Sequence, residues 1–120
     1  MAVYQLISEI PLFPPVEEAE ADGLLAVGGD LTKERLLAAY RQGIFPWYEF
    51  GQPILWWCPN PRLVLFPKEL KISRSLRKVL RKKDFKISFD SAFSNVIKAR
   101  ADVRTEQGKG TWIIPEMQQA

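Results

Sequence analysis

Apolar positions along the chain fall in short runs punctuated by proline, glycine and charge. Residues 3–7 fit a short strand, after which Phe13-Pro14-Pro15 breaks regular structure. Gly23-Leu-Leu-Ala-Val27 reads as a buried strand, ended by a Gly28-Gly29 turn whose spacing is wrong for a nucleotide-phosphate loop. A first helix is signalled by Thr32 as N-cap, with Leu31 and Leu36 placed as a hydrophobic staple across it. Leu36, Leu37 and Tyr40 share the face expected to turn inward, Gly43 is the expected C′ residue, and Pro46 prevents continuation. Apolar runs at 54–58 and 62–66 around Pro59-Asn60-Pro61 predict two strands joined by a tight connection.

The second helix, over residues 73–82, is the most informative segment. At roughly 100° per residue, Leu76, Val79 and Leu80 point one way, while Arg74, Arg77, Lys78, Arg81 and Lys82 are centred on the opposite side. One face is expected to dock on a core while five cations stand in a stripe. Residues 85–89 alternate as a half-buried strand should, and Asp90 is placed to cap a third helix with Phe93, Val96 and Ile97 inward. Residues 104–110 read as a polar loop, and Pro115 suits the first position of another helix. Only one turn of that helix follows, too little to be stable alone, so the sequence is expected to end inside a larger fold.

Composition sharpens this picture. The chain has 120 residues, 47% apolar and 26% charged, an ordinary globular balance. No apolar run approaches the ~18 residues of a membrane span, and the N-terminus lacks a basic flank before an apolar stretch, so neither membrane insertion nor a cleaved signal is expected. Histidine is absent and Cys58 is the single cysteine, which removes Ser-His and Cys-His nucleophile pairs and any internal disulfide from these residues. Cys58, among apolar neighbours, reads as an inert thiol. The net charge of +3 conceals a segregation: residues 1–34 sum to −6 and residues 62–86 to +8. So dense a positive segment is the footprint of a polyanion partner or else a solvated surface helix; the helical stripe favours nucleic acid over an anionic membrane, because the apolar face has no aromatic residue.

The four tryptophans divide by role. Trp56 and Trp57 are adjacent in a strand and expected to pack into cores on its two faces. Trp47 and Trp112 follow irregular segments, where an indole either packs or offers a stacking surface to a base. Tyr40 is either a core aromatic or a hydrogen-bonding group at a pocket rim.

Taken in order, Gly23-Leu-Leu-Ala-Val-Gly-Gly-Asp-Leu31, Arg35-Leu-Leu-Ala-Ala-Tyr40, Gly43-Ile-Phe-Pro-Trp47, Pro53-Ile-Leu-Trp-Trp57, Pro59-Asn-Pro-Arg62, Ser73-Arg-Ser75 and Thr111-Trp-Ile113 resemble the leucyl/phenylalanyl-tRNA–protein transferases. The resemblance covers nearly the whole chain and is specific because the motifs keep family order. It implies a cytoplasmic aminoacyltransferase that moves leucine or phenylalanine, and less readily methionine, from charged tRNA onto proteins beginning with arginine or lysine, for N-degron degradation. It implies no metal, ATP or CoA, since the aminoacyl ester is already activated. The implied fold class is α+β: a small N-terminal α/β domain over residues 1–66, then the truncated beginning of a GNAT-like (acyl-CoA N-acyltransferase-like) domain over residues 67–120. Carried over by position, Trp47 and Trp112 match tryptophans holding the 3′-terminal adenosine, and Tyr40 matches a tyrosine nearby. Arg74, Arg77, Lys78, Arg81 and Lys82 fall on the family's tRNA-contacting helix. Asn60 stands where aspartate is common and Arg100 where a small residue or cysteine is usual. Family members are longer and carry the residues assigned to catalysis in their second half, so no catalytic residue is assigned and the chain is expected to be an inactive fragment alone. Two rival readings are a non-catalytic RNA-binding module, which would ignore the aminoacyl end of the tRNA, and a small-molecule acyltransferase, which lacks a glycine-rich pyrophosphate loop here.

Overall fold

A computed structural model describes residues 3–7 and 9–120. Along the chain lie β1 (Tyr4–Leu6), β2 (Leu24–Gly28), α1 (Lys33–Arg41), β3 (Phe45–Pro46), β4 (Leu55–Trp57), α2 (Arg74–Lys82), α3 (Phe93–Glu106) and α4 (Pro115–Gln119), with single 3₁₀ turns at Val16–Glu18 and Pro67–Glu69. They form two compact units, residues 1–60 with 94–120, and residues 61–93. No helix among the described residues is long and apolar enough to cross a membrane.

The first unit is built on a four-stranded mixed sheet in the order β1-β2-β4-β3. β1 runs parallel to β2, while β2 and β3 each run antiparallel to β4. Between Leu24, opposite Trp57, and Ala26, opposite Trp56, β2 carries an extra residue, Leu25. Such a bulge breaks the strict alternation of faces, and both Leu25 and Ala26 are fully buried. They form the core with Ala39, Ile44 and Trp56. Phe13 meets Trp56 edge-on, with centroids 4.9 Å apart, and the Trp56 indole N–H donates to the Gly28 carbonyl at 2.9 Å. Pro46 lacks a backbone donor and is tolerated because β3 is an edge strand.

α1 starts and stops as its sequence predicts. The Thr32 hydroxyl accepts from the Arg35 N–H at 3.3 Å. At the other end the Gly43 N–H reaches the Tyr40 carbonyl and the Ile44 N–H the Ala39 carbonyl, a Schellman closure that needs the positive φ of 75° at Gly43. The buried face differs from the expectation. Leu37 and Tyr40 are exposed, and Arg35 and Ala39 face inward. Ala39 lets the helix backbone approach closely. Arg35 is buried because its guanidinium is satisfied: it donates to Asp30 at 3.3 Å and to the carbonyls of Ile7 and Leu12, and lies 5.8 Å from the Phe13 ring centre. Apolar periodicity cannot register an arginine that carries its own acceptors inward.

α3 also departs from expectation. It runs through Glu106, beyond the start of the predicted loop, and is closed by Gly108 in the same way as α1 is by Gly43, with Lys109 N–H bonded to the Arg104 carbonyl. Asp90 does not cap it; that residue holds a left-handed φ of 54°, and the helix begins at Phe93. Phe93 and Val96 are exposed, Ile97 is half-buried, and Ala101 is the buried position. A Lys98–Asp102 pair at 2.6 Å bridges successive turns.

In the second unit, residues 62–66 and 85–89 are not strands. Every residue from 61 to 93 is exposed, and no described strand pairs with either run. An apolar run becomes a strand only when a neighbour takes its N–H and C=O groups. α2 forms as predicted, with the Ser73 hydroxyl accepting from the Leu76 N–H at 3.2 Å. Its apolar face, Leu76, Val79 and Leu80, was expected to dock on a core and instead stays open to solvent.

Candidate substrate-binding site

Within the first unit, the segment following α1 builds an aromatic hollow. The Schellman turn at Gly43 directs the chain into β3, and Trp47 then continues the edge by donating its N–H to the Leu55 carbonyl at 2.9 Å. The Trp57 indole N–H donates to the Trp47 carbonyl at 2.7 Å. Trp47 is thereby anchored by its backbone on both polar groups while its ring remains 56% exposed. Trp57 is half-buried and forms part of the hollow's wall, so of the two adjacent strand tryptophans only Trp56 is a fully packed core residue.

The hollow has a volume of about 610 Å³ and is lined by Asp22, Phe45, Trp47, Tyr48, Glu49, Gln52, Leu55, Trp57 and Pro59. Tyr48 is buried, and its hydroxyl donates to Glu116 Oε1 at 2.6 Å, tying the hollow's floor to α4. Burial pushes the Tyr48 phenol well above its ordinary value, and the hydrogen bond and negative charge of Glu116 push it further in the same direction. On the rim, Glu49 and Gln52 close a reciprocal turn: the Glu49 N–H donates to the Gln52 side-chain carbonyl at 2.9 Å, and the Gln52 N–H to the Glu49 carbonyl at 3.0 Å.

The other sequence-predicted positions are placed differently. Trp112, 41% exposed, is in the same compact unit but is not among the residues lining this hollow. Tyr40 is 60% exposed on the outer side of α1 rather than packed inward. Arg74, Arg77, Lys78, Arg81 and Lys82 are all exposed on α2, in the second unit. The ion pairs among the described residues are Arg35–Asp30 and Lys98–Asp102, so none of these five cations is neutralised by a neighbouring acid. Exposed, unpaired charge on one helix can engage phosphates without breaking any internal contact.

Sequence reasoning did not single out the Arg35–Asp30 pair or the Tyr48–Glu116 contact. Burial tends to keep the Asp30 carboxyl protonated. Hydrogen bonds from the Thr32 hydroxyl and N–H, and the Arg35 guanidinium with its charge, outweigh burial and hold Asp30 below its usual range. Thr32 three residues before Arg35 was a visible cap signal, but nothing local in sequence pairs Tyr48 with Glu116, which lies 68 positions further along.

Residues 29–60 match the profile of the leucyl/phenylalanyl-tRNA protein transferase N-terminal domain, and residues 64–120 match that of leucyl/phenylalanyl-tRNA protein transferase. Among curated relatives, the chain is 62% identical over 117 residues to the leucyl/phenylalanyl-tRNA–protein transferase of Syntrophobacter fumaroxidans, covering 98% of this chain and 50% of the relative. It is 58% identical over 120 residues to that of Desulfatibacillum aliphaticivorans, covering 100% of this chain and 51% of the relative. Against that of Azotobacter vinelandii the identity is 62% over 110 residues, 90% of this chain and 48% of the relative. The chain thus spans about half the length of the curated relatives it matches. With both profiles and these identities running through the aromatic hollow and the cationic helix alike, the chain belongs to the leucyl/phenylalanyl-tRNA protein transferase family.

Proposed function

We propose that this chain supplies substrate-holding residues of an enzyme that transfers leucine or phenylalanine, and less readily methionine, from charged tRNA to the α-amine of proteins beginning with arginine or lysine. The acceptor amine attacks the ester carbonyl, a peptide bond forms, and the tRNA leaves with its terminal hydroxyl restored. The ester is already activated, so this chemistry depends on a deprotonated amine, correct positioning and stabilisation of the developing oxyanion. Residues 67–120 would begin a GNAT-like domain after an N-terminal α/β domain over residues 1–66, and the product would enter N-degron proteolysis in the cytoplasm.

The observation that carries this reading is Trp47: an exposed indole whose backbone is fixed on both sides, in a chain whose α2 also offers five unpaired cations. A pre-positioned ring loses little freedom when a base stacks on it. In this reading Trp47 and Trp112 hold the terminal adenosine, Tyr40 contributes near it, and Arg74, Arg77, Lys78, Arg81 and Lys82 meet tRNA phosphates. Base–aromatic stacking is worth roughly 1–3 kcal/mol, which corresponds to a ten- to hundred-fold loss of affinity when an indole is removed.

The test is transfer of labelled phenylalanine from charged tRNA to a peptide with N-terminal arginine by the full-length protein. Trp112→Ala should raise KM for the charged tRNA by that factor; an unchanged KM removes the adenosine role. Binding that is indifferent to loss of the tRNA's terminal adenosine would favour the RNA-binding module instead.

A further inference from the structure

We propose that Tyr48 and Glu116 act as a positioning pair that fixes the Trp47 and Trp112 indoles relative to each other. This rests on the reading above, in which both rings hold the terminal adenosine, and adds to it the contact that keeps them in place.

The pair joins two stretches far apart in sequence. Tyr48 directly follows Trp47, and Glu116 lies in the first turn of α4, shortly after Trp112. Tyr48 belongs to the segment that matches the N-terminal-domain profile, and Glu116 to the segment that matches the transferase profile. The Tyr48 side chain is buried, and its O–H···O distance of 2.6 Å is that of a charge-assisted hydrogen bond. Burial and the Glu116 charge both disfavour the phenolate, so the hydroxyl keeps its proton and remains a donor.

Each end of this bond is fastened to one of the indoles. On the Tyr48 side, the Trp47 backbone is held to β4 by the Leu55 carbonyl and the Trp57 indole. On the Glu116 side, the Gln118 N–H donates to the Ile114 carbonyl at 3.0 Å, and the Gln118 side-chain amide to the Ile113 carbonyl at 3.3 Å. The Ile113 N–H in turn donates to the Thr111 hydroxyl at 3.1 Å, closing a turn with Trp112 at its centre. A continuous run of bonds thus leads from one tryptophan to the other through Tyr48 and Glu116. An apolar contact loses about a quarter to a half of its attraction when it opens by roughly 0.5–1 Å, so two rings that share one base need a fixed spacing. Glu116 is exposed, so the bond contributes modestly to stability, and its larger effect is on geometry.

The experiment measures binding of uncharged tRNA, intact or shortened by its terminal adenosine, to the full-length protein. The wild type should bind the intact form more tightly. Tyr48→Phe should weaken binding of intact tRNA about five-fold and leave binding of the shortened form unchanged. Glu116→Ala, at an exposed position where folding is not at stake, should do the same, and the double variant should be no worse than either single one. Glu116→Gln keeps an acceptor oxygen and should recover most of the loss. In transfer assays KM for charged tRNA should rise by the same factor, whereas a purely structural role would lower the amount of active enzyme, and so apparent kcat, at unchanged KM. Folded Tyr48→Phe or Glu116→Ala protein that retains the full preference for intact tRNA overturns the positioning pair while the adenosine reading stands. A wild type indifferent to the terminal adenosine overturns both.

Discussion

The indole N–H of Trp57 donates to the carbonyl of Trp47 at 2.7 Å, and both side chains line the same hollow. It ties down the residue just beyond Pro46, where regular β3–β4 pairing stops and the Trp47 N–H continues the edge by donating to the Leu55 carbonyl at 2.9 Å. Its consequence is a division of labour between two tryptophans: one holds, and the other is left presented to solvent.

Trp57→Phe keeps the ring against the hollow but deletes that donor. The Trp47 carbonyl is partly accessible to water, so the stability loss should be modest, about 1 kcal/mol, read from the urea midpoint. If Trp47 is the adenosine platform, KM for charged tRNA should rise more than kcat falls. A variant with unaltered midpoint and unaltered KM would show that the bond does not position Trp47.

The Arg35–Asp30 pair makes an acid-limb prediction. The folded-state carboxyl of Asp30 is held below its ordinary value, so its contribution is present above the unfolded value and is lost as pH falls through the folded one. Asp30→Asn should therefore flatten the acid limb of stability measured by urea unfolding. At neutral pH it should cost on the order of 3 kcal/mol, because Arg35 remains fully buried with its charge uncompensated. An acid limb identical in wild type and variant would mean that other carboxylates dominate.

Much of this architecture can be read from short-range signals. The Thr32 cap, the Gly43 closure, the β2 and β4 runs, the Ser73 cap and the Pro115 start are set by neighbours within a few positions, and the structure has all of them. The errors lie where a tertiary partner decides. Runs 62–66 and 85–89 have strand composition but no strand to pair with, and the apolar face of α2 has nothing packed over it. Arg35 is inward and Tyr40 outward because an aspartate and two distant carbonyls satisfy the arginine. For the candidate site, the sequence marked Trp47 as lying in an irregular segment. The acidic rim of its hollow joins Asp22 to Glu49 across the fold, and no spacing rule brings those two together.

Tyr48 carries an alkaline counterpart to the Asp30 effect. The folded phenol is held above its ordinary value, so an unfolded chain releases this proton first as pH rises. The contribution is whole below about pH 10 and declines above it. Tyr48→Phe should remove that decline and should also cost about 1 kcal/mol at neutral pH through the lost hydrogen bond to Glu116. Phenolate absorbance should show one fewer late-titrating tyrosine in the variant; a wild type whose tyrosines have all ionised near their ordinary value would contradict the buried Tyr48–Glu116 contact.

The α2 stripe makes a prediction in salt rather than pH. If Arg74, Arg77, Lys78, Arg81 and Lys82 meet phosphates, the affinity of the full-length protein for charged tRNA should fall linearly on a log–log plot against salt. The slope should lie near −0.7 to −0.9 per phosphate neutralised. Arg77→Ala and Lys78→Ala should each shallow that slope by about one contact, with similar losses for leucyl- and phenylalanyl-tRNA, because phosphate contacts carry no information about the amino acid. Neither change should move the urea midpoint much, since both side chains are exposed and neither is in an ion pair among the described residues. A slope that stays at its wild-type value in both variants would assign the stripe to a solvated surface and leave tRNA binding to other parts of the enzyme.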